Sequence, residues 1–250
     1  MTDLWAACGS RAEPVTFAGE VLRMVESQEQ VATQRLVGNL AEQDLLESLL
    51  ERSKPPRPAA TAGLDYLLAT PFRYPPLRYG SRFGRRHEPS LFYAACTRPP
   101  LLAESAYYRF VFRAGMTSPP PRTLRTQHTV FGARVCARRT YRLDAPPFDA
   151  HGLVLANPGE YAATQALGSA LRAAGAEALV YPSARDLQHG LNAALYTPAA
   201  FAEPRPTFRE EWFCETGAER VSFRTRGAVG VHTLELAQFT VDGQLPVPAA

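Results

Sequence analysis

The stretch SKPPRPAATAG, from Ser53 to Gly63, constrains this chain more than any other. Proline fixes φ and lacks the N–H that helices and sheet ladders need, so a segment carrying Pro55, Pro56 and Pro58 cannot lie inside either element. It divides the chain into a preface, residues 1–55, and a body, residues 56–250, long enough for one full-size domain. In the preface Leu22, Val25, Leu36, Leu40, Leu45, Leu49 and Leu50 recur at threes and fours between Glu, Gln and Arg. This spacing predicts helix from Phe17 to Arg52, with Gly38-Asn39 as a stop that makes it two helices. Such an N-terminal helical extension either packs on the body or offers a face to a dimer mate or another partner.

The body reads as mixed. Leu91 to Ala95 predicts a short buried strand, and Pro100 to Phe110 a helix with proline in its first turn. Thr123 to Leu143 alternates imperfectly through Val130, Val135 and Tyr141, as one or two strands would. Gly152 to Ala156 and Ala178 to Tyr181 predict further short strands. Between them Asn157-Pro158-Gly159-Glu160 has the form of a capping box for a helix that ends at Ala174, with Gly175 at its C′ position. Phe208–Cys214, Arg220–Thr225 and His232–Phe239 predict antiparallel strands. The sum is an α+β fold with a mixed or antiparallel β core and the helical extension ahead of it.

Composition and motifs exclude more than they assign. No run of eighteen apolar residues exists and the N-terminus lacks an apolar signal region, so the expected location is cytoplasmic, with no membrane partner. Cys8, Cys96, Cys136 and Cys214 match no metal or redox spacing and read as reduced thiols. The five histidines are scattered, so no metal is expected. Glycine-rich phosphate loops, HExxH and GxSxG are absent. A net charge of +3 is too mild to predict direct nucleic-acid binding. Lys54 is the only lysine among 27 basic residues. Any anion site here is therefore an arginine site, with planar, bidentate phosphate contacts.

Three blocks carry a resemblance. ATPFRYPPLRYGSRFGRR contains Ser81-Arg82-Phe83-Gly84; SLFYAACTRPPLLAESAYYR sets Tyr93 in a short strand and Glu104 in a helix; LVYPSARDLQHGLNAALYTPAAF ends a strand at Ser183 and continues through Asn192. In order and spacing, from about Leu67 to Phe201, they resemble the RES-domain family, the toxins of bacterial Xre–RES toxin–antitoxin pairs. Phe83-Gly84 stands where the family usually has Trp-Asn. The preface also looks like the N-terminal helices of a longer RES subfamily.

The resemblance implies a fold related to ADP-ribosyltransferases and NAD⁺ as substrate. It implies cleavage of the nicotinamide–ribose bond by water or phosphate, or transfer of ADP-ribose to a protein. A non-enzymatic module with a degenerate NAD⁺ cleft is the reading outside enzymes. By the resemblance, Glu104 stabilises the ribose cation that bond cleavage creates. Arg82 grips the pyrophosphate or orients the ribose, with Arg73 of PFRY as a second phosphate ligand. Tyr93 faces the nicotinamide or the ribose, and the Ser183 hydroxyl bonds Glu104 or the ribose. Asn192 and Tyr196 line the same cleft. The implied partners are an Xre-type helix-turn-helix antitoxin and a second copy in a homodimer.

Overall fold

A computed structural model describes residues 3–27, 36–76, 78–227 and 229–247. The strand that organises it is the longest, β3 (Leu124–Arg142). Its first half, Leu124 to Gly132, pairs with β6 (Phe208–Thr216), and its His128 to Thr140 stretch pairs with β1 (Val15–Glu26), both antiparallel. Its last residues run parallel to β4 (Ala178–Pro182). From β4 the sheet continues through β5 (Leu191–Leu195) to β2 (Phe92–Ala95), and β2 returns to β1. These five strands close a ring, while β7 (Arg220–Thr225) and β8 (His232–Glu235) extend the sheet beyond β6. The expected α+β class with a mixed, largely antiparallel core is what the chain forms.

Sterics decide what fills the ring. Ala133, Ala137, Ala178 and Ala193 share a buried cluster with Phe92, Phe131 and Val180, so small residues leave room for the large rings at the centre. Helix α3 (Tyr66–Arg73) adds Leu67 and Leu68 to this cluster. A second cluster joins α1 (Leu4–Cys8), α5 (Gly152–Leu155) and α6 (Ala162–Ala173) to β4 and β5. A third seats α4 (Arg98–Ala114), whose Leu101, Leu102, Ala106, Tyr107 and Phe110 face the sheet at helical spacing.

Several expectations are corrected. The helix predicted from Phe17 is strand over Val15–Glu26, and among the described residues of the predicted Phe17–Arg52 stretch α-helix is formed only within α2 (Leu40–Ser53). Both faces of β1 are covered, so Val21 and Leu22 are buried in different clusters; a doubly covered strand loses period-two alternation and mimics helical spacing. Residues 28–35 of the first predicted helix lie outside the described residues. Asn39 starts a helix instead of stopping one. Its Oδ1 accepts from the Glu42 amide at 2.9 Å, and Glu42 Oε2 accepts from the Gly38 amide at 2.8 Å.

The strand predicted over Gly152 to Ala156 is instead α5 (Gly152–Leu155) with Ala156 as its C-cap: with Leu155 inside and Leu153 in solvent, so short an apolar run fits either element. The Asn157 side chain does accept from the Gly159 and Glu160 amides. The helix nevertheless begins only at Ala162, because the Asn157 and Pro158 carbonyls turn to Arg82 and Arg185. Gly175, at φ +75°, takes the left-handed turn predicted after α6. The last predicted strand stops at Glu235, and a 3₁₀ turn covers Leu236–Phe239.

One glycine sets the height of a loop that the site uses. A Cβ at Gly168 in α6 would stand 2.0 Å from the carbonyl oxygen of Phe83, so helix and loop touch backbone to backbone. Gly168→Ala should destabilise the protein by about 1–3 kcal/mol, the usual cost of an overpacked core. Urea denaturation of both proteins measures it.

Candidate active site

β1 and β2 pair at Leu22 and Ala95 and splay apart from there. A cleft of about 580 Å³ opens between them, and residues of both strands, α4, β5 and the 80–82 loop line it. Glu104 stands at its wall on the second turn of α4.

Two side chains hold the Glu104 carboxylate, and both use the same oxygen. The Ser183 hydroxyl donates to Oε1 at 2.6 Å and Asn192 Nδ2 donates to it at 2.9 Å. Ser183 is fully buried just beyond β4, and its Oγ accepts from the amides of Arg185 and Asp186 at 3.1 and 3.2 Å. With its acceptor sites occupied, the hydroxyl proton is directed at Glu104. Asn192 is buried on β5, and its Oδ1 has no partner among the described residues. Glu104 Oε2 likewise has none. A carboxylate oxygen and an amide oxygen thus stand ready to accept from a ligand.

Tyr93 projects from β2 into the same cleft. Its hydroxyl bonds Ser81 Oγ at 2.8 Å and accepts from the Phe83 amide at 3.0 Å, which anchors the loop carrying Arg82. Burial pushes the phenol up to about 12, so it remains protonated at neutral pH. Tyr181 lies buried at the cleft wall with its pKa well above the ordinary value, first through burial and then through the Glu104 charge.

Arg82 lines the cleft but is largely committed to the protein. Nη1 donates to the carbonyls of Leu155 and Asn157 at 3.2 and 2.8 Å, Nη2 donates to the Tyr161 hydroxyl at 3.3 Å, and the guanidinium stacks 4.4 Å over the Tyr161 ring. Of its five N–H donors, these contacts leave some free. Arg73 is placed elsewhere. Its Nη1 pairs with Glu51 at 2.7 Å and its Nε donates to the Pro55 carbonyl at 2.6 Å, so it ties α2 and the proline segment to α3 and is absent from the cleft lining. Hydrogen bonds from Arg73 and then Lys54 hold the Glu51 carboxyl down at about 2. Tyr196 also serves the fold: its hydroxyl donates to the Gly168 carbonyl at 3.0 Å.

Three arginines beside the site were not anticipated. Arg23 lines the cleft, donates to the Tyr93 carbonyl at 2.5 Å, and has a buried Nε without a partner among the described residues. Burial lowers its pKa to about 10, still charged at neutral pH. Arg109 joins Glu26 at 3.0 Å and Thr216 at 3.0 Å. Arg185 donates to Tyr161 and packs 3.5 Å from the Tyr107 ring centroid. Reading residues 17–26 as a strand would have exposed Arg23 as a charge set among apolar neighbours; the other two carry no sequence signal. Among the described residues no cluster of His, Cys, Asp or Glu could hold a metal ion, and no helix is long and apolar enough to cross a membrane.

The fold and cleft define a class: an α+β protein with one carboxylate oriented by a serine and an amide, among arginines and tyrosines. Residues 55–216 match the family model described as RES domain, and the chain belongs to that family. No curated protein sequence matches it. Among solved structures, a chain of the M. tuberculosis MbcT–MbcA toxin–antitoxin complex is similar at 11% identity, over 94% of this chain and 93% of that one, with a TM-score of 0.45.

His128, buried and lining the cleft, gives a pH prediction. Burial, and secondarily the Arg109 charge, lowers its pKa from 6.5 to about 4. The unfolded chain takes up this proton near pH 6.5 and the folded one resists it to about pH 4. Stability should therefore fall as pH drops through that window, by up to about 3 kcal/mol from this residue. Denaturation at pH 7.5 and 4.5 checks it; His128→Gln should flatten the difference.

Proposed function

We propose that this RES-domain protein is the toxin of a toxin–antitoxin pair and cleaves the nicotinamide–ribose bond of NAD⁺. The observation that carries this reading is Glu104, a lining residue of the cleft gripped through Oε1 by Ser183 and Asn192, while Oε2 has no hydrogen-bond partner among the described residues. Breaking the C1′–N1 bond sends both electrons to the nicotinamide ring nitrogen, which leaves neutral, and the ribose carbon becomes cation-like. An oriented carboxylate stabilises that charge as it develops. Water or phosphate then attacks C1′ and loses a proton to solvent, giving ADP-ribose or its 1″-phosphate.

The other side chains suit the same substrate. Donors left on Arg82, and the charge of Arg23, favour the pyrophosphate. The Asn192 Oδ1 suits a ribose hydroxyl or the carboxamide N–H₂ of nicotinamide, and the ring of Tyr93 suits the base. A chain with this activity requires silencing in its own cell, and the Xre-type antitoxin implied by the family resemblance fills that role.

Purified protein is to be mixed with NAD⁺, with and without phosphate, and the products followed by mass. Nicotinamide release should drop by about 10²–10³ in Glu104→Gln, as for loss of one electrostatic stabiliser, with an unchanged thermal midpoint. Ser183→Ala should cost about tenfold, the loss of one charged hydrogen bond. Phosphate-dependent 1″-phosphate would identify phosphorolysis. Intact NAD⁺ in every arm would overturn the reading, and ADP-ribose appearing only on an added lysate protein would replace it with the transferase.

A further inference from the structure

Helix α2 contributes no buried residue. At 100° per residue, Glu42, Leu45, Leu46, Leu49 and Ser53 share one face, and Glu47, Glu51 and Lys54 share the opposite one. An amphipathic helix ordinarily turns its apolar stripe to the core. Here the polar side faces inward. Glu51 pairs with Arg73, and Glu47, Glu51, Lys54 and Leu50 border an open gap of about 1520 Å³ between the helix and the β6–β7 face. Leu45 and Leu49 are left 58% and 48% exposed. Glu51 ties the helix to α3 through Arg73 while Leu45 and Leu49 stand outward and Leu46 is half-buried, the arrangement of a surface that another molecule covers.

The charges on α2 say which molecule. Glu42 and Asp44 lie in its first half and Glu47 at its middle; its last turn carries Glu51 and Arg52, with Lys54 at the C-cap and Arg57 beyond it, both paired with Glu51. Arg52 is exposed and makes no ion pair among the described residues. Two copies laid antiparallel about a two-fold axis at residue 47 bring Leu45 opposite Leu49 and Glu42 opposite Arg52, each contact occurring twice. Acidic helix starts then meet basic helix ends, which the helix dipoles also favour. A surface complementary to itself is the signature of an isologous interface.

We infer that α2 pairs with α2 of a second copy of this chain, antiparallel, through Leu45, Leu46 and Leu49 with reciprocal Glu42–Arg52 pairs. The inference does not depend on the NAD⁺ reading. Sedimentation velocity over a concentration series tests it on the full chain. The wild type should show a concentration-dependent dimer. Leu45→Glu with Leu49→Glu, both at exposed positions, should give a monomer with an unchanged thermal midpoint. Arg52→Glu should raise the dissociation constant about tenfold by setting like charges opposite.

A wild type that stays monomeric at every concentration would overturn the inference, even if the leucine face then captured a different protein. So would a dimer indifferent to the leucine changes. A dimer broken by those changes but unmoved by Arg52→Glu would overturn the antiparallel pairing.

Discussion

The hydrogen bond from Ser183 to Glu104 is the contact on which the cleft depends. The donors to a carboxylate decide where it points. Here the donors come from the end of β4 and from β5, while the carboxylate comes from α4. One interaction therefore fixes the height of a helix against two strands of the ring. Because both donors converge on one oxygen, the second oxygen keeps a defined direction without being consumed.

The arginines show how a lysine-poor chain builds around such a group. Arg82, Arg185, Arg109 and Arg23 each stack on an aromatic ring, at Tyr161, Tyr107, Phe112 and Phe92. Arg82 and Arg185 also bind the carbonyls of residues 155–158 and meet at the Tyr161 hydroxyl. A planar guanidinium can stack and donate in its own plane at once, which an ammonium cannot do. Arg82 thus shapes the wall of the cleft before it contacts any ligand.

Legibility in the sequence followed the range of the forces involved. β7 and the turn at Gly175 were readable because side-chain alternation and glycine's left-handed backbone are local properties. Glu104, Ser183 and Asn192 were reached through the resemblance of their blocks, which left the Ser183 hydroxyl to bond either Glu104 or the ribose. Arg73 was misplaced because a match of residue type carries no information on its neighbour: Glu51 lies on a helix that no periodicity assigns to that spot. β1 was misread because burial on both faces removes the alternation that marks a strand.

That misread strand is what makes the cleft. Had β1 stayed paired with β2 along its length, the Tyr93 carbonyl would have met a backbone N–H and the ring would have had no opening at this point. The ladder instead fails beyond Leu22 and Ala95, and the Arg23 guanidinium takes the carbonyl. A side chain in place of a ladder bond satisfies the backbone while leaving space beside it. The family match begins at residue 55 and so omits β1, yet β1 supplies Leu22, Arg23 and Met24 to the lining and pairs with β3 from Val15 to Glu26. The matched blocks carry the Glu104 carboxylate, and the strand ahead of them lines the opening in front of it.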